Sequence, residues 1–233
     1  AAVRQAKNQK YFLNRVKKEI GIKLSVISGA AEAYLDYLGV VNTLPVKNGL
    51  IMDTGGASTE LIWVQNGKCE KRISLPTGSV LLSQTYNLTD RIKASDLYKA
   101  MTAAELRLSA VPWLNNAHNM PLIALGGSNR TIAKIKRREL TSNINDLPDI
   151  HGMHLPADNI YALFEKLVSL DKIGRTKIPG LAKIRGDVIV GGLIPISLVL
   201  RMLQIDEVIF SNHGIRDGLL YEYLQHKDAE NVK

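Results

Sequence analysis

An acid at the end of an apolar run, followed at once by small residues, is an arrangement with chemical uses. In LIMDTGGASTEL (50–61) the acid is Asp53, and Gly55, Gly56, Ala57, Ser58 and Thr59 lead on to Glu60. A carboxylate left unpaired at the end of a buried strand is costly, so Asp53 needs a partner. Asp53 and Glu60 together suit a hard cation such as Mg2+, which takes oxygen ligands. Glycine turns let backbone N–H groups come close to a phosphate, and the Ser58 and Thr59 hydroxyls add donors. The plain alternative is a tight hairpin turn capped by Asp53, with Glu60 a solvated strand residue. Local sequence leaves both readings open.

Two further runs end in the same way, ISG (27–29) and LGGSNRT (125–131), the latter with Gly126, Gly127 and Ser128. A helix starting after such a turn offers its positive end to an anion. Glu32 lies in the first helical turn after ISG. It is either an acid favoured by the helix dipole or a base for an attacking water. Arg4 could bind phosphate bidentately, although position alone favours a solvated side chain. Arg185 with Asp187, and Arg216 with Asp217, read first as structural ion pairs. Lys134, Lys136, Arg137 and Arg138 form a basic cluster, a solvated face or a guide for a polyanion. His151, His154 and His213 lack metal-ligand spacing. No serine sits in a nucleophile elbow, and the G-x-x-x-x-G-K-[ST] loop is absent.

These residues depend on elements to place them. The spacing of apolar residues predicts a helix to Ile20, closed by Gly21. A strand is expected over 22–28, a helix over 29–40 and a strand over 46–53. Strands over 58–65 and 68–76 should pair through an Asn66-Gly67 turn. A helix opens at about Ser79, and an amphipathic one covers about 95–110. A buried strand over 120–127 leads into a helix over 128–140, followed by a polar loop over 141–156. Asp158 is placed to cap a helix over 159–170. A long buried helix over 185–203, a strand over 205–211 and a helix over 214–226 complete an α/β pattern. PWLNNAHNMP (112–121) breaks the periodicity and marks an expected domain boundary.

Bulk properties set the limits. The chain has 233 residues, 45% of them hydrophobic, enough for a sizeable core. Aromatic residues are only 6%, which argues against stacking as the main mode of recognition. The net charge of +8 and pI of about 9.5 favour polyanionic partners without naming one. Cys69 is the single cysteine, so an internal disulfide or thiolate metal cluster is excluded and a reducing compartment fits. With no membrane-length apolar run and no recognisable leader, a cytoplasmic protein is expected. The chain opens without Met inside a helical pattern, so it is expected to be a fragment.

The ordered motifs AVRQAKN (2–8), VISGAAEAYLDYLGV (26–40), MDTGGASTEL (52–61), ALGGSNRTIAKI (124–135), PGLAKIRGDVIVGG (179–192) and SNHGIRDGLL (211–220) resemble one family. It is the exopolyphosphatase / guanosine pentaphosphate phosphohydrolase family, and the resemblance covers nearly the whole chain. It implies an actin-like, ribonuclease H-like α/β fold with two similar domains around a cleft, and catalysis with Mg2+. Residues 1–115 would be the C-terminal part of the first domain and 116–233 the second, with the last helix able to pack back on the first. Glu32 resembles the catalytic base, and Asp53 and Glu60 resemble the metal-serving acids. Gly55, Gly56 and Ser58 match one phosphate turn, and Gly126, Gly127 and Ser128 match another. Arg4 resembles a phosphate contact, and Arg185 is a weaker candidate for substrate. The implied reaction is hydrolysis of terminal phosphate from inorganic polyphosphate, or of the 5′-phosphate of guanosine pentaphosphate. Ala31 stands where the family usually has a further acid, and Ala57 replaces a third glycine. The family's opening strand and its phosphate turn are missing. A non-catalytic sensor of polyphosphate or guanosine alarmones is therefore the alternative. A homodimer is left open, a membrane partner is not expected, and nucleic acid rests on charge alone.

Overall fold

In a computed structural model, which describes residues 1–141 and 143–231, helices and strands alternate through most of the chain. The helices are α1 (Ala2–Gln5), α2 (Gln9–Ile20) and α3 (Gly29–Val41), followed by strands β1 (Gly49–Thr54), β2 (Thr59–Gln65) and β3 (Lys68–Leu75). Next come α4 (Ser79–Thr85), α5 (Ala94–Ser109), β4 (Leu122–Leu125), α6 (Gly127–Leu140), β5 (His154–Pro156), α7 (Ala157–Ser169), α8 (Lys172–Thr176), α9 (Ile189–Met202), β6 (Glu207–Phe210) and α10 (Ile215–Asn231). The strands form one six-stranded sheet in the order β3-β2-β1-β4-β6-β5. Its centre, β1, β4 and β6, is parallel, and β2, β3 and β5 add antiparallel strands. The β2–β3 hairpin turns on Asn66 and Gly67, both with positive φ as a two-residue type I′ turn demands.

Side chains alternate across the sheet and divide the interior in two. Leu50, Met52, Leu61, Leu122, Ala124, Val208 and Phe210 face the larger core, where α9 packs against α4, α5, α6 and α7. Ile51, Ile62, Val64, Ile123 and Leu125 face the smaller core beneath α3. Period two carries the second stripe on from Ile51 to Asp53 and back from Ile62 to Glu60. Both acids therefore belong to the face that α3 covers. The parallel register Asp53↔Leu125 and Ala124↔Phe210 sets the ends of β1, β4 and β6 side by side. The turns after them meet along one sheet edge, the place where parallel α/β sheets bind ligands.

Several sequence expectations change. Residues 21–28 form no strand, and Leu24, Val26 and Ile27 are exposed. A β-prone run forms a strand only beside a partner ladder, and none of the described strands lies along it. The first helix breaks at Ala6, which is extended (ψ 127°), and resumes at Gln9. Asp158 lies inside α7, whose N-cap is Pro156 with no side-chain hydrogen bond. The helix expected from 185 starts at Ile189, after a 3-10 turn at Lys183–Arg185. The boundary expected near 112–121 falls between strands that pair directly, since β1 and β4 lie side by side in the one sheet. The last helix, α10, packs on α3. Glycines make that contact close: a side chain on Gly218 would strike the Leu35 backbone, and one on Gly39 the Gly214 backbone.

Candidate functional site

The antiparallel register sets Asp53 directly opposite Glu60, and Glu60 opposite Ser74 on the next strand. Like charges facing each other across a ladder repel. Glu60 is buried, and its Oε1 accepts hydrogen bonds from the hydroxyls of Ser58 and Ser74, both at 2.7 Å. Asp53 has no such support: its Oδ1 is buried without a partner. A third acid, Asp36 of α3, is fully buried, and both of its carboxylate oxygens lack partners. One ligand oxygen each from Asp36, Asp53 and Glu60 lies within 4.8 Å of the others.

Crowding and burial show in the acidities. Burial, then the charge of Glu60, pushes Asp53 up to about 7, against the pull of Arg130. Burial, then Asp53, Glu60 and Glu32, raises Asp36 well above the usual carboxylate range. Burial raises Glu60 as well, and the serine hydroxyls partly offset it. Carboxylates with free oxygens this close together match the oxygen-ligand preference of a hard divalent cation.

The turn after β4 forms one side of the site. Gly126 has φ +91°, and a Cβ there would collide with Asp53 Oδ1, so glycine is required on both counts. A Cβ on Gly127 would collide with the Arg185 guanidinium, which lies over the start of α6. Arg185 is lowered by burial and then by the neighbouring charge of Arg130. Asp53, Gly126, Arg130, Asn212, Arg216 and Asp217 line a cavity of about 270 Å³. Arginines gathered at the positive end of a helix suit an anion. Neither expected arginine–aspartate pair forms: Asp187 pairs with Lys172 at 3.5 Å, and Asp217 with His213 at 2.9 Å. The basic cluster belongs to the other end of α6, where Lys136 pairs with Glu139 and Arg137 donates to the Pro148 carbonyl.

The other side is built from α3 and α1. Ser28 caps α3, its hydroxyl accepting the Ala31 N–H at 3.1 Å, and this fixes the turn that carries Glu32. Arg4 donates to Glu32 Oε2 at 3.0 Å and to the Ile27 carbonyl at 2.9 Å. Arg4, Ser58, Arg72 and Ser74 also border a second recess. The turn at 55–58 is pinned: the Gly55 N–H donates to the Ser58 carbonyl, and the Ser79 and Val80 N–H groups donate to the Gly55 and Gly56 carbonyls. Ala57 is not among the residues with positive φ, so its methyl group carries no backbone cost there.

The structure thus brings Glu32, Asp53, Glu60, Gly126, Gly127 and Arg185 to one sheet edge. Three predicted groups are turned to other work. The Gly55 amide closes its own turn, the Ser58 hydroxyl serves Glu60, and the Ser128 hydroxyl is buried against Gly192. Asp36, Ser74, Arg130 and Arg216 were missed. Asp36 had a readable signal, an acid four residues after Glu32 on an otherwise apolar helix face. Ser74 required the strand register, and the arginines required the parallel pairing of β1, β4 and β6.

A mixed sheet with a parallel centre and this acid- and glycine-lined edge defines a protein of the actin-like α/β class. The chain belongs to the Ppx/GppA phosphatase family, which residues 1–227 match. It is 29% identical, over 97% of its length, to a bifunctional 3-dehydroquinate synthase/phosphatase of Fusobacterium nucleatum. It is 26% identical over its whole length to a guanosine-5'-triphosphate,3'-diphosphate pyrophosphatase of Pseudoalteromonas translucida. The chain spans 34% and 45% of those two relatives. Among solved structures, an exopolyphosphatase of Cytophaga hutchinsonii superposes with a TM-score of 0.85 at 25% identity, over 96% of this chain and 72% of that one. The Aquifex aeolicus Ppx/GppA family member gives 0.79 at 27%, over 97% and 72%. No helix of the described residues is long and apolar enough to cross a membrane.

Proposed function

We propose that the protein is a metal-assisted phosphoric anhydride hydrolase. Its reaction would release terminal phosphate from inorganic polyphosphate or the 5′-phosphate from guanosine pentaphosphate. One observation carries the reading: Asp53, whose buried Oδ1 has no partner and whose carboxylate sits beside those of Asp36 and Glu60, lines a cavity together with Arg130 and Arg216. Family membership and the relatives' names support the same chemistry.

Asp53 and Glu60 would hold Mg2+, which when bound supplies charge neutralisation at the phosphoryl oxygens. Gly126 and Gly127 let Asp53 and the Arg185 guanidinium close in on the start of α6, and Arg130, Arg185 and Arg216 supply positive charge for a phosphate beside it. Arg4 holds Glu32 by one oxygen, Oε2. The other, Oε1, takes the proton of the attacking water. The water oxygen bonds to the terminal phosphorus, the bridging P–O bond breaks, and the shortened chain leaves with the electron pair. Glu32→Gln keeps the shape and removes the base. Phosphate release should fall about 10²–10⁴-fold on both substrates while their binding persists. Turnover at the wild-type rate would refute the role of Glu32. Absence of release by the unsubstituted protein, with binding retained, would favour the non-catalytic sensor.

A further inference from the structure

Helix α3 carries two acids on one face, one turn apart. Glu32 sits half-buried in its first turn, but Asp36 sits among the buried residues Ala33, Leu35, Leu38 and Val40. An acid in that company gives the helix no packing advantage, and burying it unpaired costs several kcal/mol. No described residue forms an ion pair with it. The start of α10 faces it, but does not satisfy it. The Ile215 N–H is the donor nearest in effect, yet it falls outside hydrogen-bond geometry. The Gly214 N–H is already taken by Asp217 Oδ2 at 3.2 Å. Gly214 also leaves room, since a Cβ there would lie 3.0 Å from Asp36 Oδ1. Both unpartnered oxygens of Asp36 therefore remain, and one lies within 4.8 Å of ligand atoms of Asp53 and Glu60.

We propose that Asp36 is a direct ligand of the divalent cation, making this a three-carboxylate site shared by α3, β1 and β2. A cation among the three would meet one oxygen from each; without it, the Asp36 and Asp53 carboxyls can hydrogen-bond to each other and have no other side-chain partner among the described residues. The assignment rests on the metal reading above and adds a ligand to it. A third carboxylate adds negative charge at the cation, so half-saturation falls to lower divalent concentrations than two carboxylates would give. It also ties α3, and with it Glu32, to the sheet edge whenever the cation is bound.

The test uses the intact protein with Mn2+ alone, titrated by calorimetry, in wild type, Asp36→Asn and Asp53→Asn. Asp36→Asn should weaken Mn2+ at least about tenfold. A second variant gives a signal instead of a loss. Asp36→Cys should give a thiolate-to-cobalt charge-transfer band with stoichiometric Co2+, because a thiolate at position 36 would bind the metal directly. Wild type, whose only thiol is Cys69, serves as the blank. Wild-type Mn2+ affinity in Asp36→Asn, with loss of binding in Asp53→Asn and no cobalt band, would overturn the Asp36 assignment and leave the metal site standing. Failure of Mn2+ to bind the wild-type protein would overturn both.

Discussion

Replacing Asp53 with asparagine should make the cation-free protein more stable at neutral pH, and the size of the gain follows from its surroundings. The Asp53 carboxyl titrates at about 7 in the fold, against 3.8 for an ordinary aspartate. An acid raised by folding keeps its proton in the folded chain where the unfolded chain has lost it. Its contribution is complete below about pH 4 and disappears as pH climbs through about 7. That difference corresponds to about 4 kcal/mol, an upper figure because Asp36 and Glu60 titrate with it. In EDTA at pH 8, Asp53→Asn should therefore melt higher than wild type, by about 8–16 °C for a domain of this size. At pH 4 the two should melt nearly together. Mg2+ should close the gap, since a cation adds to the wild-type fold alone about 2.7 kcal/mol at 100 times its dissociation constant and about 4.1 kcal/mol at 1,000 times. The assay is thermal unfolding followed by circular dichroism at pH 4 and pH 8, with EDTA or Mg2+. An Asp53→Asn protein less stable than wild type in EDTA at pH 8 would refute the reasoning, because the carboxylate would then be satisfied without a metal.

Other consequences are checked more simply. Gly126→Ala places a Cβ against Asp53 Oδ1 at a φ of +91°, and should cost about 3 kcal/mol in urea unfolding; an unmoved midpoint would mean the turn relaxes freely. Arg175 is fully buried and donates to the carbonyls of Leu88, Asp90, Leu167 and Gly186. Arg175→Met should lower stability by on the order of 3 kcal/mol by orphaning those acceptors, and an unchanged urea midpoint would contradict it. Arg130 draws Asp53 downward, so in Arg130→Leu the Asp53 midpoint should rise above about 7. Carboxyl NMR in EDTA reads it, and a fall would show that the two groups are not neighbours.

Most of the elements were legible because they rest on local patterns. Alternation over 58–65 and 68–76, with Asn66-Gly67 between them, announces a hairpin whatever surrounds it. The run at 22–28 carries the same β-prone residues and forms no strand, because a strand also needs a neighbour, and none of the described strands lies beside it. Within the site, Asp53, Glu60 and the glycines at 126–127 could be read from a strand ending in acid or glycine. The part that escaped is the part that depends on register. Ser74 reaches Glu60 only because β3 pairs one strand over, and Arg130 reaches Asp53 only because β4 runs parallel beside β1. Asp36 was legible only in part, as an acid on an otherwise apolar helix face. A helix periodicity assigns an acid to the solvent side by default, and the packing of α10 on α3 leaves this one no solvent.

That packing has a mechanical consequence. Where glycines let two helices touch backbone to backbone, as at Gly39–Gly214 and Gly218–Leu35, no flexible side chains lie between them to absorb a shift. Helices α3 and α10 then behave as a single beam, hinged at neither contact. A shift of the first turns of α10 therefore has to be met by a shift of the acid-bearing helix α3. Tags, surface anchors or labels meant to leave the acids undisturbed are better attached away from that beam, on the exposed face of α5.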